Sequence, residues 1–205
     1  MDNRVVCFDL ETTGLSPWKH QIIQFAGVAI DLATWEELGG LEVKINFDLA
    51  KATKEALEVN HFDQAVWDRE AVSQEDARDQ VSEFLRDHST LEKTSKKKGT
   101  KYMVARLMGH NAAMFDCPFL TAWFKKAGQF LPAESYAPMD TLQLARWKLL
   151  MAGTECPALG NSLVELCEMF DIPFKGAHDA LNDVRATIAL AKLLIADWHQ
   201  LKATG

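Results

Sequence analysis

The chain has 205 residues, enough to bury one full core, and its 48% hydrophobic and 25% charged content is that of an ordinary soluble globular domain. No apolar stretch approaches the roughly 20 residues of a membrane span, Met1-Asp2-Asn3-Arg4 runs straight into a strand-like segment with no signal peptide, and the four cysteines (Cys7, Cys117, Cys156, Cys167) form no Cys-x-x-Cys pair. A net charge of −7 excludes a broadly basic nucleic-acid surface, and the sum of these features implies one cytoplasmic domain over residues 1–205 with reduced thiols.

The first predicted element is the apolar run Val5–Thr12, a buried strand, followed by a second at Ile22–Ile30. Glu37-Leu38-Gly39-Gly40 reads as a turn, and Leu41–Phe47 alternates as a half-exposed third strand, giving an antiparallel meander. Ser73 can cap a helix in which Ala77, Val81, Phe84 and Leu85 form an apolar stripe. Residues 92–101 carry five lysines and one glutamate and almost no apolar side chain, so a flexible lysine-rich loop is expected there. Tyr102–Met108 is a fourth strand, and Phe119, Leu120, Trp123 and Phe124 stripe the next helix. Ser135–Met139 is a short fifth strand before a helix from about Asp140 to Met151. Ser162-Leu163-Val164-Glu165 fits a capping box. In the last helix Ala180, Val184, Ile188, Ala191, Ile195 and Trp198 share one face.

Chemistry gathers at three places in this order. Asp9 and Glu11 lie two apart on the first strand, so they share a face while Phe8 and Leu10 take the other. Two carboxylates beside a hydrophobic strand repel each other and lose hydration. A divalent cation removes both penalties, and oxygen-only ligands suit magnesium or manganese. Asp116 and Asp183 would complete a four-carboxylate cage, and His178 has the chemistry to take a proton from water. Those are the groups a two-metal phosphodiesterase needs. His20, His61, His88 and His199 have no partner spacing for a metal.

Phe8-Asp9-Leu10-Glu11-Thr12-Thr13-Gly14-Leu15 resembles the first motif of the DnaQ-like (DEDDh) 3′–5′ exonucleases. His110-Asn111-Ala112-Ala113-Met114-Phe115-Asp116 resembles the second. His178-Asp179-Ala180-Leu181-Asn182-Asp183 resembles the third, with the histidine five residues before the last aspartate. The resemblance runs from Val5 to about Leu194. It implies an α/β, ribonuclease H-like domain: a five-stranded mixed sheet (antiparallel meander plus parallel strands) flanked by helices. It assigns two divalent cations, Mg2+ or Mn2+, to Asp9, Glu11, Asp116 and Asp183, and the general-base role to His178. By the same likeness the terminal nucleotide lies at Thr12, Thr13, Gly14 and Leu15. Thr53–Asn60 resembles the segment that faces substrate in proofreading members, which puts Glu55 and Asn60 in contact positions, although members often show His-Gly where this chain has Asn60-His61. Asn111 would order the loop around Asp116, and Phe115 and Trp18 could stack on bases or simply pack.

The function this implies is metal-dependent 3′–5′ hydrolysis of single-stranded nucleic acid to nucleoside 5′-monophosphates, with DNA favoured and RNA open. The expected partners are single-stranded 3′ ends and no membrane. Two alternatives stay open: a proofreading subunit held by a polymerase, and a non-catalytic interaction module on the same fold. A homodimer and a nucleic-acid-processing partner stay open as well. The lysine-rich loop precedes the strand leading to Asp116, so the sequence allows it to swing beside the catalytic face.

Overall fold

The computed structural model describes residues 3–153, 162–174 and 179–196. The run expected to be a buried strand is β1 (Arg4–Thr12), at the centre of a six-stranded mixed sheet. On one side it pairs antiparallel with β2 (Ile22–Asp31), Asp9 standing opposite Ala26. On the other it pairs parallel with β5 (Lys101–Gly109), Cys7 standing opposite Met108. β3 (Glu37–Lys44) extends the meander antiparallel to β2. β4 (Leu91–Thr94) pairs antiparallel with the first half of β5, and β6 (Ala133–Asp140) pairs parallel with its second half.

The period-2 pattern of β1 divides the core in two. Val6, Phe8 and Leu10 face a large cluster with Ala77, Val81 and Leu85 of α3 (Gln74–Asp87) and with Phe119, Leu120, Trp123 and Phe124 of α4 (Asp116–Lys126). Val5 and Cys7 face α7 (Ala180–Leu194) through Ala180, Val184 and Ala191. The Cys7 thiol donates to the Val184 carbonyl at 3.7 Å, and burial holds it protonated. Behind α7, Leu142, Ala145 and Leu149 of α5 (Thr141–Met151) meet Leu166 of α6 (Leu163–Met169). Ser73 caps α3 and Ser162 makes the reciprocal capping box with Glu165, both as the residue pattern indicates. Among the described residues no helix is long and apolar enough to cross a membrane. Cys7, Cys117 and Cys167 are buried free thiols, and Cys156 lies outside the described residues.

Three expectations need correction. The sheet has six strands rather than five, because the lysine-rich stretch is not simply a loop. Leu91–Thr94 and the start of β5 form a hairpin, with Leu91 opposite Val104 and Thr94 opposite Lys101. Lys93 is paired with Glu134, and Lys101 with Glu92 at 2.8 Å, so two of the five lysines are already neutralised. The turn expected at residues 37–40 lies earlier. Asp31 takes the Ala33 N–H on its carboxylate at 2.7 Å, Trp35 adopts a φ of 64°, and Gly39 and Gly40 sit inside β3. Gly39 suits the strand because His88 packs where its side chain would lie, 3.1 Å from its Cβ position. Finally, two short helices, α1 (Lys54–Val59) and α2 (Gln64–Glu70), fill a segment to which periodicity had given no element. Thr53 and Asp63 cap them.

Candidate active site

The carboxylates gather at the end of β1. Asp9, Glu11 and Asp183 present oxygens within 4.8 Å of one another. Asp9 and Glu11 come from the alternate residues of β1 that face α7. Asp183 comes from the first turn of α7, whose start is capped by Asp179 accepting the Asn182 N–H at 3.1 Å. Asp116 opens α4, is 3% exposed, and has its own backbone amide and that of Leu10 near enough to its carboxylate to favour the ionised form.

The turn that delivers Asp116 is tightly built. A Cβ on Gly109 would meet that of Ala112 at 2.6 Å, so only glycine lets residues 110–115 fold back on the strand end. Asn111 takes the left-handed conformation, φ 57°, and its carbonyl accepts the N–H groups of Met114 and Phe115. Asp140 braces the turn from the next element, accepting the N–H of Asn111 at 3.1 Å and of Ala113 at 3.2 Å.

Electrostatics follow from this crowding. Burial, then the charges of Asp116, Glu11 and Asp183, push Asp9 well above the carboxylate range. Burial, then Asp183, Asp116 and Asp179, push Glu11 up to about 8. Burial takes Asp116 up to about 7 against the nearby backbone amides of Asp116 and Leu10, which favour the ionised form. Without a counter-charge, buried like charges share protons rather than ionise together. An all-oxygen donor set that is anionic and closely spaced suits a hard divalent cation. Asp9, Glu11 and Asp183 are therefore a cluster able to hold one, with Asp116 beside them.

A cleft of about 720 Å³ opens over the carboxylates. Of the candidate residues, Asp9, Glu11, Thr12, Gly14, Leu15, Glu55, Asn60, Asn111, Phe115, Asp116 and Asp183 all line it. Leu15 is 84% exposed there, which a core residue would not be. Asn60 is buried and donates to the Thr12 carbonyl at 2.8 Å, so its side chain fixes the strand end. Thr13 does not reach the cleft. It is fully buried, its hydroxyl accepts the Gln21 N–H at 2.9 Å, and its carbonyl accepts the Thr53 N–H at 2.9 Å, so it ties the strand end to the chain on either side. His178 lies outside the described residues.

The cleft is also lined by residues that the sequence reading did not assign to it, His20, His110 and Val59 among them. His20 packs on Gly14, where a Cβ would lie 2.7 Å from its ring, and its Nδ1 accepts the Ser16 N–H at 2.9 Å. His110 faces Thr141 Oγ1 at 2.9 Å. Val59 adds an apolar wall from α1. Only the Asp140 brace carried a local signal, an aspartate just before a helical pattern.

The RNase_T family model, described as an exonuclease, matches residues 6–98 and 99–191. The chain is 29% identical over 199 residues to the PolC-type DNA polymerase III of Halalkalibacterium halodurans, covering 96% of this chain but only 12% of that polymerase. In structure it resembles E. coli Exonuclease I solved with a dT13 oligonucleotide, with a TM-score of 0.72 and 19% identity, over 98% of this chain and 43% of that one. It also resembles the nuclease domain of 3′hExo bound to rAMP, a DEDDh family member, with a TM-score of 0.66 and 16% identity, over 96% and 93% of the two chains. The family match runs through the sheet and the helices that carry all four acidic positions, and on it the chain belongs to the DnaQ-like exonucleases of the RNase_T family.

Proposed function

We propose that this chain removes nucleotides one at a time from the 3′ end of single-stranded nucleic acid, DNA in the first instance, and releases nucleoside 5′-monophosphates. The observation that carries this reading is the convergence of Asp9, Glu11 and Asp183 within 4.8 Å, with Asp116 beside them, at the floor of an open cleft. Two divalent cations, Mg2+ or Mn2+, held by these four residues, supply positive charge and Lewis acidity at the phosphoryl group when bound. His178 takes the proton of the attacking water. Leu15, Phe115 and Glu55 border the terminal nucleotide, and Asn60 acts indirectly by holding the Thr12 carbonyl. The cleft's apolar walls suit a base and sugar, and its acidic floor suits a metal-bridged phosphate.

The similarity to a PolC-type polymerase supports a second setting for the same chemistry, proofreading in the company of a polymerase. That setting would place the protein in the cytoplasm, with single-stranded 3′ ends as its other partner.

The test uses matched DNA and RNA oligonucleotides labelled at the 5′ end, with free or blocked 3′ hydroxyls, resolved by length. The expected result is a ladder of single-nucleotide steps in magnesium or manganese, abolished by EDTA or a blocked 3′ end. Cutting of a circular single strand, or degradation that ignores the 3′ block, would refute it.

A further inference from the structure

A second hollow, of about 370 Å³, lies behind the wall of the catalytic cleft, and its chemistry is opposite in sign. Lys19, Lys51, Arg78 and Lys126 line it together with Trp18, and no carboxylate is among its lining residues. His20 lines both hollows, so the segment that follows β1 is a shared partition. Trp18 is 60% exposed, and the ammonium groups of Lys125 and Lys126 stand 5.6 and 5.7 Å from its ring centre. Lys126 is oriented from behind by the carbonyls of Pro17 and Trp18, at 2.9 and 3.1 Å. Of the four lining cations, Lys51 has a carboxylate neighbour, the exposed Asp48 at 3.2 Å, while Arg78 lies over Trp123 and donates to the neutral Gln129. Desolvation and, second, the Lys51 charge lower the Lys126 pKa, a sign that cations crowd here without enough counter-charge. Such crowding on a chain of net charge −7 calls for an anion.

We propose that this hollow is a phosphate-binding subsite for the nucleic-acid strand behind its terminal nucleotide, with Trp18 as a stacking platform. The inference rests on the exonuclease reading above. Helix α4 sets the scale: from Asp116 in the catalytic cleft to Lys126 in the hollow is ten residues, or about 15 Å of helix. Phosphates in a duplex strand rise about 3.4 Å each, so the subsite is reached only by a strand several nucleotides long. Cations along a groove beside an exposed aromatic ring are the features that hold single strands without sequence preference.

The test compares the wild type with Lys19→Gln/Lys51→Gln and with the charge-keeping Lys19→Arg/Lys51→Arg, both pairs being exposed and outside the catalytic cleft. Binding of a fluorescein-labelled dT12 is followed by anisotropy in EDTA across a salt series, and hydrolysis of thymidine 5′-monophosphate p-nitrophenyl ester is followed in manganese. The glutamine pair should weaken dT12 binding and flatten the log–log salt slope by up to about 0.7 per lost phosphate contact. The arginine pair should keep both, and ester hydrolysis should be the same in all three. Unchanged dT12 affinity and slope in the glutamine pair would overturn the subsite. So would displacement of dT12 by inorganic phosphate beyond the effect of chloride at equal ionic strength, which would assign the hollow to a free anion. A wild type that binds dT12 but cuts neither substrate would instead refute the exonuclease reading, while the binding arm still decides the subsite.

Discussion

The backbone amide of Leu10 lies against the carboxylate of Asp116, near enough to favour its ionised form, so the acid that opens α4 sits beside the strand residue lying between Asp9 and Glu11. The side chain of Leu10 points the other way, into the core that also holds Phe119 and Leu120 of α4. One residue thus registers helix against strand twice, by its backbone amide near the carboxylate on the catalytic side and by apolar packing on the other. That double hold explains how acids more than one hundred positions apart in the chain reach a common site without a covalent link.

Removing one acid should separate stability from activity. Asp9→Asn deletes one of four crowded charges with little change in volume, so the metal-free protein should melt at a higher temperature than the wild type. The rise in melting temperature that magnesium or manganese gives the wild type should shrink, because the variant binds the cation less well. Activity should fall by at least about 10²-fold, since loss of an outer partner alone costs about 10–100-fold at such sites. Wild-type turnover by Asp9→Asn at matched metal would remove Asp9 from the site.

The raised pKa values set the sign of a pH effect. Glu11 moves from an ordinary 4.5 to about 8, and Asp116 from 3.8 to about 7. Between those limits the folded protein binds more protons than the unfolded chain, so stability falls as pH rises. In EDTA the melting temperature should therefore decline from pH 5 to pH 8, less steeply in Glu11→Gln. With manganese present the trend should weaken or reverse, because the cation displaces those protons and binds better as pH rises. A metal-free melting temperature equally flat in both proteins would mean the carboxylates do not hold protons.

The site was legible because its acids sit where local rules are strong. Asp9 and Glu11 are two apart on an apolar strand, which alone fixes their common face, and Asp183 borders a regular apolar stripe. What stayed hidden depended on tertiary register. The lysine-rich stretch precedes the strand that leads to Asp116, which suggested nearness to the site. β5 is extended, however, so Lys101 stands eight rises of about 3.3 Å, roughly 26 Å, from Gly109 at the catalytic end. Lys19, Lys51, Arg78 and Lys126 are scattered through the sequence, so no local count shows that they line one hollow. Thr13 looked like its motif neighbours, and strict alternation would put it on the face of Asp9 and Glu11, yet the register shifts at Glu11/Thr12 and Thr13 is turned into hydrogen bonds with Gln21 and Thr53, away from the cleft that Thr12 and Gly14 line.

His178 is assigned from its motif position, and kinetics can test it directly. His178→Ala should slow the chemical step by about 10²–10⁴-fold, the usual range for a general acid or base. Oligonucleotide binding should change far less, because the four carboxylates remain. The wild-type rate should rise with pH through the range where imidazole loses its proton, about 6.5 for an unperturbed group, and this limb should be missing in the variant. If the variant keeps the limb, another group accepts the proton.

Asp140 touches neither the acidic cluster nor the cleft, yet it should matter for both stability and rate. Its Oδ1 accepts the N–H groups of Asn111, Leu142 and Gln143, at 3.1, 3.0 and 3.4 Å, while Oδ2 accepts that of Ala113 at 3.2 Å. It therefore caps α5 and braces the turn that presents Asp116. Asp140→Ala should lose the cap, about 1 kcal/mol, and free the two turn amides, for a total loss of about 1–3 kcal/mol. Turnover should fall more than KM for a short oligonucleotide rises, since the turn carries Asp116 and only one side, Phe115, of a nucleotide wall that Leu15 and Glu55 also form. Asp140→Asn keeps an Oδ1 and with it three of the four bonds, so it should restore most of both stability and rate. If Asp140→Ala loses stability but keeps its turnover, Asp140 is a helix cap and no more.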